Sequence, residues 1–121
     1  MASDDVYELF QNGTRLLEKR DFHAAAVPLA RARDLEPNKT SIREALGRAL
    51  FGAQRYADAA IEFEAIVERA PTNDYALFCL GRSLMQLGRT AEARKPLTLA
   101  ACMNPTRRDY RIYRDRARKA A

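Results

Sequence analysis

A step of 34 residues carries Gly13 onto Gly47 and then onto Gly81, and the same step joins Ala25, Ala59 and Ala93. It also joins Leu29, Phe63 and Leu97, and then Pro37, Pro71 and Pro105. Four columns thus hold register over three copies without an insertion. An internal period of this length marks supersecondary units that stack, because one unit alone cannot bury its apolar face. That constraint outranks any local motif in the chain.

Each column has a physical reason. Leu77, Leu80 and Leu84 recur at helical spacing, and Gly81 lies beside them, where a bare hydrogen lets a second helix approach closely. Ala93, Leu97 and Ala100 form the answering face, with alanine where the backbones come nearest. Pro105 follows and stops that second helix. The succession Leu80-Gly81-x-x-Leu84, then Ala93-x-x-x-Leu97, then Pro105, resembles the tetratricopeptide repeat over about residues 6–105. Many copies of that repeat carry a tryptophan where Leu9, Arg43 and Leu77 stand here, and Arg43 predicts a looser first helix in the middle copy. The resemblance implies an all-α fold, a right-handed superhelical stack of three helix-turn-helix hairpins with a seventh, capping helix. It implies one domain over 1–121, with repeats at about 6–39, 40–73 and 74–107 and the last helix at about 107–120.

Composition fits such a scaffold. At 121 residues, 47% hydrophobic and 31% charged, the chain has the size and balance of one soluble domain. No apolar run approaches the roughly 18–20 residues a membrane span needs. The start, Met1-Ala2-Ser3-Asp4-Asp5, is acidic without an apolar signal core, which predicts a cytoplasmic protein with no membrane partner. Cys79, Cys102 and the single His23 make no ligand set, so no metal and no cofactor is expected. The five glycines never cluster into a phosphate-cradling loop, and no nucleophile is paired with a base. Enzyme activity is not expected.

The periodicity also places the helices. Ser3 or Asp4 should cap helix one, which runs to about Glu18, and Asp21 should cap helix two, about 22–34. Asn38 or Thr40 opens helix three, which reaches Gly52, and helix four spans about Tyr56 to Arg69. Asn73 opens helix five, Gly88 ends it, Thr90 caps helix six and Met103 ends that in turn. Pro28 and Pro96 share a column inside helices two and six and are expected as tolerated bends on the outer face. Glu62, Glu64 and Glu68 read as a solvated helix face. In helix seven the stripe Tyr110/Tyr113/Ala117 lies 33 residues beyond Leu77/Leu80/Leu84, which predicts a register slipped by one.

In tetratricopeptide stacks the first helices of the hairpins line a concave groove. The rows beside the packing stripe hold Tyr7, Phe10, Thr14, Glu44, Arg48, Phe51, Tyr75, Phe78, Arg82 and Met85, which form the candidate peptide-binding groove. Aromatic groups supply anchor area and arginine pairs with carboxylates in a forked geometry. The resemblance therefore implies a non-catalytic adaptor or scaffold that binds a protein segment, one with acidic residues. Arg116 would extend the Arg48/Arg82 row if helix seven kept the 34-residue step, whereas the slipped register puts Asp115 there. Some family members grip a partner's terminal carboxylate, but the matching positions, Phe10, Thr14, Ala45, Tyr75 and Cys79, lack the donors.

The net charge of +5 is uneven. Residues 106–121 hold Arg107, Arg108, Arg111, Arg114, Arg116, Arg118 and Lys119 against Asp109 and Asp115, which is the whole excess. Two further readings follow for this segment beside its role as a cap. It could contact nucleic acid, with arginines on phosphates and tyrosines on bases. Alternatively it pairs with a second copy through Tyr110 and Tyr113, so that the protein is a monomer or a weak homodimer.

Overall fold

The structure, a computed structural model, describes residues 5–120. Among them there are seven helices and no strand: α1 Val6–Glu18, α2 Phe22–Leu35, α3 Thr40–Gly52, α4 Tyr56–Arg69, α5 Asp74–Gln86, α6 Thr90–Met103 and α7 Arg108–Lys119. Two compact units emerge, Met1–Glu62 and Phe63–Ala121, with the boundary inside α4. In the first unit α1, α2 and α3 pack on one another. In the second, α5, α6 and α7 do the same.

The turns repeat as faithfully as the helices. After α1, α3 and α5 the chain enters the left-handed region at Arg20, Gln54 and Gly88, all in one column, with φ of 62°, 63° and 75°. At each, the next amide donates back five residues: Asp21 to Leu16 (2.9 Å), Arg55 to Leu50 (2.8 Å) and Arg89 to Leu84 (2.9 Å). This is the Schellman closure of a helix C-terminus, which satisfies carbonyls the helix leaves orphaned. Glycine is favoured there, and only Gly88 carries it.

The N-termini differ more from expectation. Asp5 caps α1 by accepting the Tyr7 amide at 2.9 Å; the expected caps Ser3 and Asp4 lie outside the described residues. Asn73 caps α5 through the Ala76 amide. Asp21 precedes α2 without a side-chain cap bond, and α3 opens at Thr40, one of the two expected residues, with Lys39 as its N-cap. Thr90 is the first residue of α6, not its cap.

Close approach within the α1–α2 and α5–α6 hairpins depends on one absent side chain in each. A Cβ at Gly13 would lie 2.6 Å from Leu29 Cδ2 and closer still to its Cγ. A Cβ at Gly81 would lie 2.5 Å from Leu97 Cδ2, again with Cγ closer. Leu29 and Leu97 are fully buried, as are Ala25, Ala32, Ala93 and Ala100 around them. The α1–α2 and α5–α6 contacts are thus the same contact, 68 residues apart.

The register of α7 is not slipped. α3, α5 and α7 begin at Thr40, Asp74 and Arg108, each 34 residues after the last. The turn before them sets this: Lys39, Asn73 and Arg107 each donate an amide to the carbonyl three residues earlier, at 3.0–3.3 Å. The buried columns are Ile42/Ala76/Tyr110 and Ala49/Ser83/Ala117. The leucine column continues into α7 as Arg111, Arg114 and Arg118, and the glycine column as Asp115.

Three further expectations are corrected in the middle copy and its flanks. Pro28 and Pro96 do not break α2 and α6, but they are buried, not on an outer face. Pro96 and Leu77 line one cleft of about 360 Å³ in the second unit. Their counterparts in the first unit are Glu62 and Arg43, 19 residues apart like Leu77 and Pro96. Glu62 is 2% exposed, not solvated, and its carboxylate takes Arg33 at 2.6 Å and Arg43 at 2.9 Å. Arg43 also donates to the Pro37 carbonyl at 2.6 Å, so it fixes the first helix of the middle copy where looseness was expected. A buried carboxylate is tolerable only when paired in this way.

Two outcomes are predicted. Gly81→Ala forces Leu97 from its rotamer and lowers stability by about 1–3 kcal/mol in denaturant titration. Arg43→Leu and Glu62→Leu each destabilise, but together they cost less than their sum, with a coupling of about 1–3 kcal/mol in a double-mutant cycle.

Candidate functional site

The helix faces picked out by the sequence are built differently in the two units. In the second, Phe78 of α5 is 4% exposed and lies under α7, with ring centroids 4.6 Å from Tyr110 and 5.4 Å, edge-on, from Tyr113. Phe78 is therefore core, not an open groove anchor. The Arg82 guanidinium sits 4.9 Å from the Tyr113 ring centre and 5.7 Å from that of Phe78. Arg116 lies 4.8 Å from the same Tyr113 ring. Because α7 keeps its register, Arg116 and not Asp115 continues the Arg48/Arg82 column, and Tyr113 carries two arginines of that column. Each guanidinium gains from the ring's negative face. Tyr75 and Met85 border this face half-buried, and Cys79 is buried beneath it.

In the first unit the same rows run along α1 and α3. Tyr7 is 67% exposed and its hydroxyl accepts the Gln11 amide at 2.8 Å. Phe10 and Glu44 are half-buried, and Arg48 is exposed. Thr14 donates its hydroxyl to the Phe10 carbonyl at 2.9 Å, so that donor serves its own helix. Phe51 packs edge-on against Tyr56 at 5.0 Å.

α7 is held by three devices. Tyr110 is fully buried and donates its hydroxyl to Asp74 at 2.9 Å, across 36 residues. Burial, then the bond to Asp74, pushes this phenol well above its ordinary value. Arg107 covers the ring at 4.4 Å. From α6, Arg94 donates to the Ala117 carbonyl at 3.0 Å and the Ala120 carbonyl at 2.6 Å, closing the end of α7. Sequence reasoning missed Arg94, since nothing in the pattern points a guanidinium at carbonyls 23 residues away. It also cast Tyr110 and Tyr113 as a seam between two copies. Tyr110 is spent inside its own unit, so that seam is not available.

The seven basic residues of the tail are unequal. Arg107 binds Asp109 at 2.8 Å and Arg114 binds Asp115 at 3.0 Å. These bonds hold both carboxyls below the usual carboxylate range, with Arg118 and Lys119 adding to the effect at Asp115. Arg111 reaches the Pro105 carbonyl only at 3.5 Å. Arg108, Arg118 and Lys119 are exposed and make no hydrogen bond or ion pair among the described residues. No group of three or more His, Cys, Asp or Glu among the described residues could hold a metal ion. Among the described residues no helix is long and apolar enough to cross a membrane.

The tyrosine anchor gives a pH signature. A phenol whose folded pKa exceeds its unfolded value, near 10, stabilises the fold fully below that value. The contribution disappears as pH rises through the folded pKa. Tyr110→Phe should therefore melt lower at neutral pH yet lose less than the native protein between about pH 9 and 11. Parallel melting curves across that range would contradict the assignment.

These features can be set beside known proteins. The profile of the family described as tetratricopeptide repeat matches residues 10–74. No curated protein sequence matches the chain. Among solved structures, one similar fold is the first TPR of Spaghetti (RPAP3) bound to HSP90 peptide SRMEEVD. It has a TM-score of 0.87 and 15% identity, over 98% of this chain and 94% of that one. The Arabidopsis OM64 TPR domain superposes with a TM-score of 0.88 at 16% identity, over 96% of both chains. A MamA RS-1 ArsTM double mutant gives 0.89 at 22% identity; it is matched over 95% of this chain but 65% of its own. At these identities the structures speak for the fold alone. The matched profile spans more than half of the sequence and coincides with the Gly13–Leu29 hairpin and its repeats: the chain belongs to the tetratricopeptide repeat family.

Proposed function

We propose that this protein is a non-catalytic adaptor that holds an extended, acidic segment of a partner protein on the face that α5 and α7 share in the second unit. The tetratricopeptide fold supports protein–protein interaction. The observation that carries the finer reading is the arginine pair of the second unit, Arg82 on α5 and Arg116 on α7, both resting on Tyr113. An arginine whose flat face is held by a ring keeps its donor edge oriented, so less entropy is lost when a carboxylate docks. Packed helices lie roughly 8–10 Å apart, and an extended strand rises about 3.3 Å per residue. Carboxylates three residues apart in a partner then match successive arginines of one unit.

The fold neighbour solved with the peptide SRMEEVD supports a peptide ligand as a class. Its mode of recognition is not carried over, because Phe10, Thr14, Ala45, Tyr75 and Cys79 lack the donors of a carboxylate grip. Tyr75, half-buried on the same helix as Arg82, adds aromatic contact area.

The test uses Arg82 and Arg116, since Phe78→Ala would open a core cavity and confuse folding with binding. Peptides with Asp or Glu at every third position should bind the native protein. Arg82→Ala with Arg116→Ala should weaken that binding at least tenfold, about 1.5–3 kcal/mol for each charged hydrogen bond lost. Circular dichroism should register no loss of helix. Equal affinity of native and variant protein would count against the arginine pair.

A further inference from the structure

A second surface is independent of the arginine pair. On α7, Arg108, Arg111, Arg118 and Lys119 share the side opposite buried Tyr110 and Ala117. At 100° per residue these four fall within one third of the helix circumference. Elsewhere on the surface Arg55 pairs with Asp58, Arg89 with Glu92 and Arg107 with Asp109. The one carboxylate on this side, Asp115, binds Arg114 and lies in the field of Arg118 and Lys119, which leaves the face with a net positive charge. We infer that this face of α7 binds the phosphate backbone of nucleic acid, without reading its sequence.

The chemistry selects this ligand over other anions. A protein partner of useful affinity needs an apolar pocket for its anchors. This face offers only Ile112, 38% exposed, on an otherwise charged surface. An anionic membrane would need an apolar helix side to insert, and that side of α7 is already buried against α6. A phosphate polymer needs neither, because duplex DNA presents one charge per about 1.7 Å of axis. The four cations extend along about 16 Å of helix, from Arg108 to Lys119, at 1.5 Å per residue. Base stacking has no part in it: Tyr110 is fully buried and Tyr113 is covered by Arg82 and Arg116.

The experiment titrates a mixed-sequence DNA duplex of about 20 base pairs by fluorescence anisotropy. Four phosphate contacts give a slope of log affinity against log salt of about −3 to −4, so binding falls about a hundredfold between about 50 and 200 mM salt. The variant Arg108→Gln, Arg111→Gln, Arg118→Gln, Lys119→Gln should lose at least tenfold in affinity and most of that slope. All four side chains are exposed, and an unchanged helix signal certifies that the variant folds. Arg89→Gln, which removes a matched arginine, should bind like the native protein. The inference is overturned by no duplex binding at about 50 mM salt, or by equal binding of the fourfold variant. Tighter binding to polyglutamate or to phosphatidylserine vesicles than to the duplex at equal charge overturns it as well.

Discussion

At Gly13 and again at Gly81 a helix backbone lies directly against a leucine of the helix that follows, with no side chain between them. The free energy of that contact is dispersion and apolar burial, both of which fall away steeply with distance. A methyl group at either glycine would push the pair apart, and the alanines at 25, 32, 93 and 100 would lose their partners with it. The hairpin is therefore defined by what is missing from one residue. The three equivalent Schellman turns then fix the angle at which the second helix returns. Within each unit these equivalent turns are what make the corresponding side chains of its first helices stand alike.

Steric columns were legible in the sequence because they admit so few residues. Glycine, alanine and proline at fixed intervals have almost no other explanation, and seven helices with nearly the expected limits followed. The left-handed turn position was legible once, at Gly88; Arg20 and Gln54 occupy the same conformation and give no sign of it. The slip assigned to α7 shows how hydrophobic matching can mislead. Tyr110, Tyr113 and Ala117 looked like the leucine stripe, yet the turn after Pro105 copies the turns after Pro37 and Pro71 and sets the helix start. In α7 the leucine column has become arginine, and a different column carries the burial.

Arg43 and Glu62 teach the converse. Each departs from its column, and both departures fall in the same copy. Taken singly they suggested a loose helix and a solvated face. Together they are one substitution, an apolar pair exchanged for an ion pair, with Arg33 as the second cation. The signal was present, but only the fold reveals that these two columns meet. Arg94 had no signal at all, because a guanidinium on backbone carbonyls leaves no trace in a pattern of side chains. Surfaces were the least legible: Phe78 and Arg82 were picked for the same reason, and one proved to be core while the other lies over it.

The central claim is that the two units are closed by one and the same contact. It is tested most directly by removing the leucine from each in turn and measuring unfolding free energy in denaturant. Leu29→Ala and Leu97→Ala should each destabilise by about 2–5 kcal/mol, as large-to-small changes at fully buried sites do. The two losses should agree within about 1 kcal/mol, because geometry and burial are the same. A large loss at one leucine with none at the other would contradict the equivalence on which the account stands.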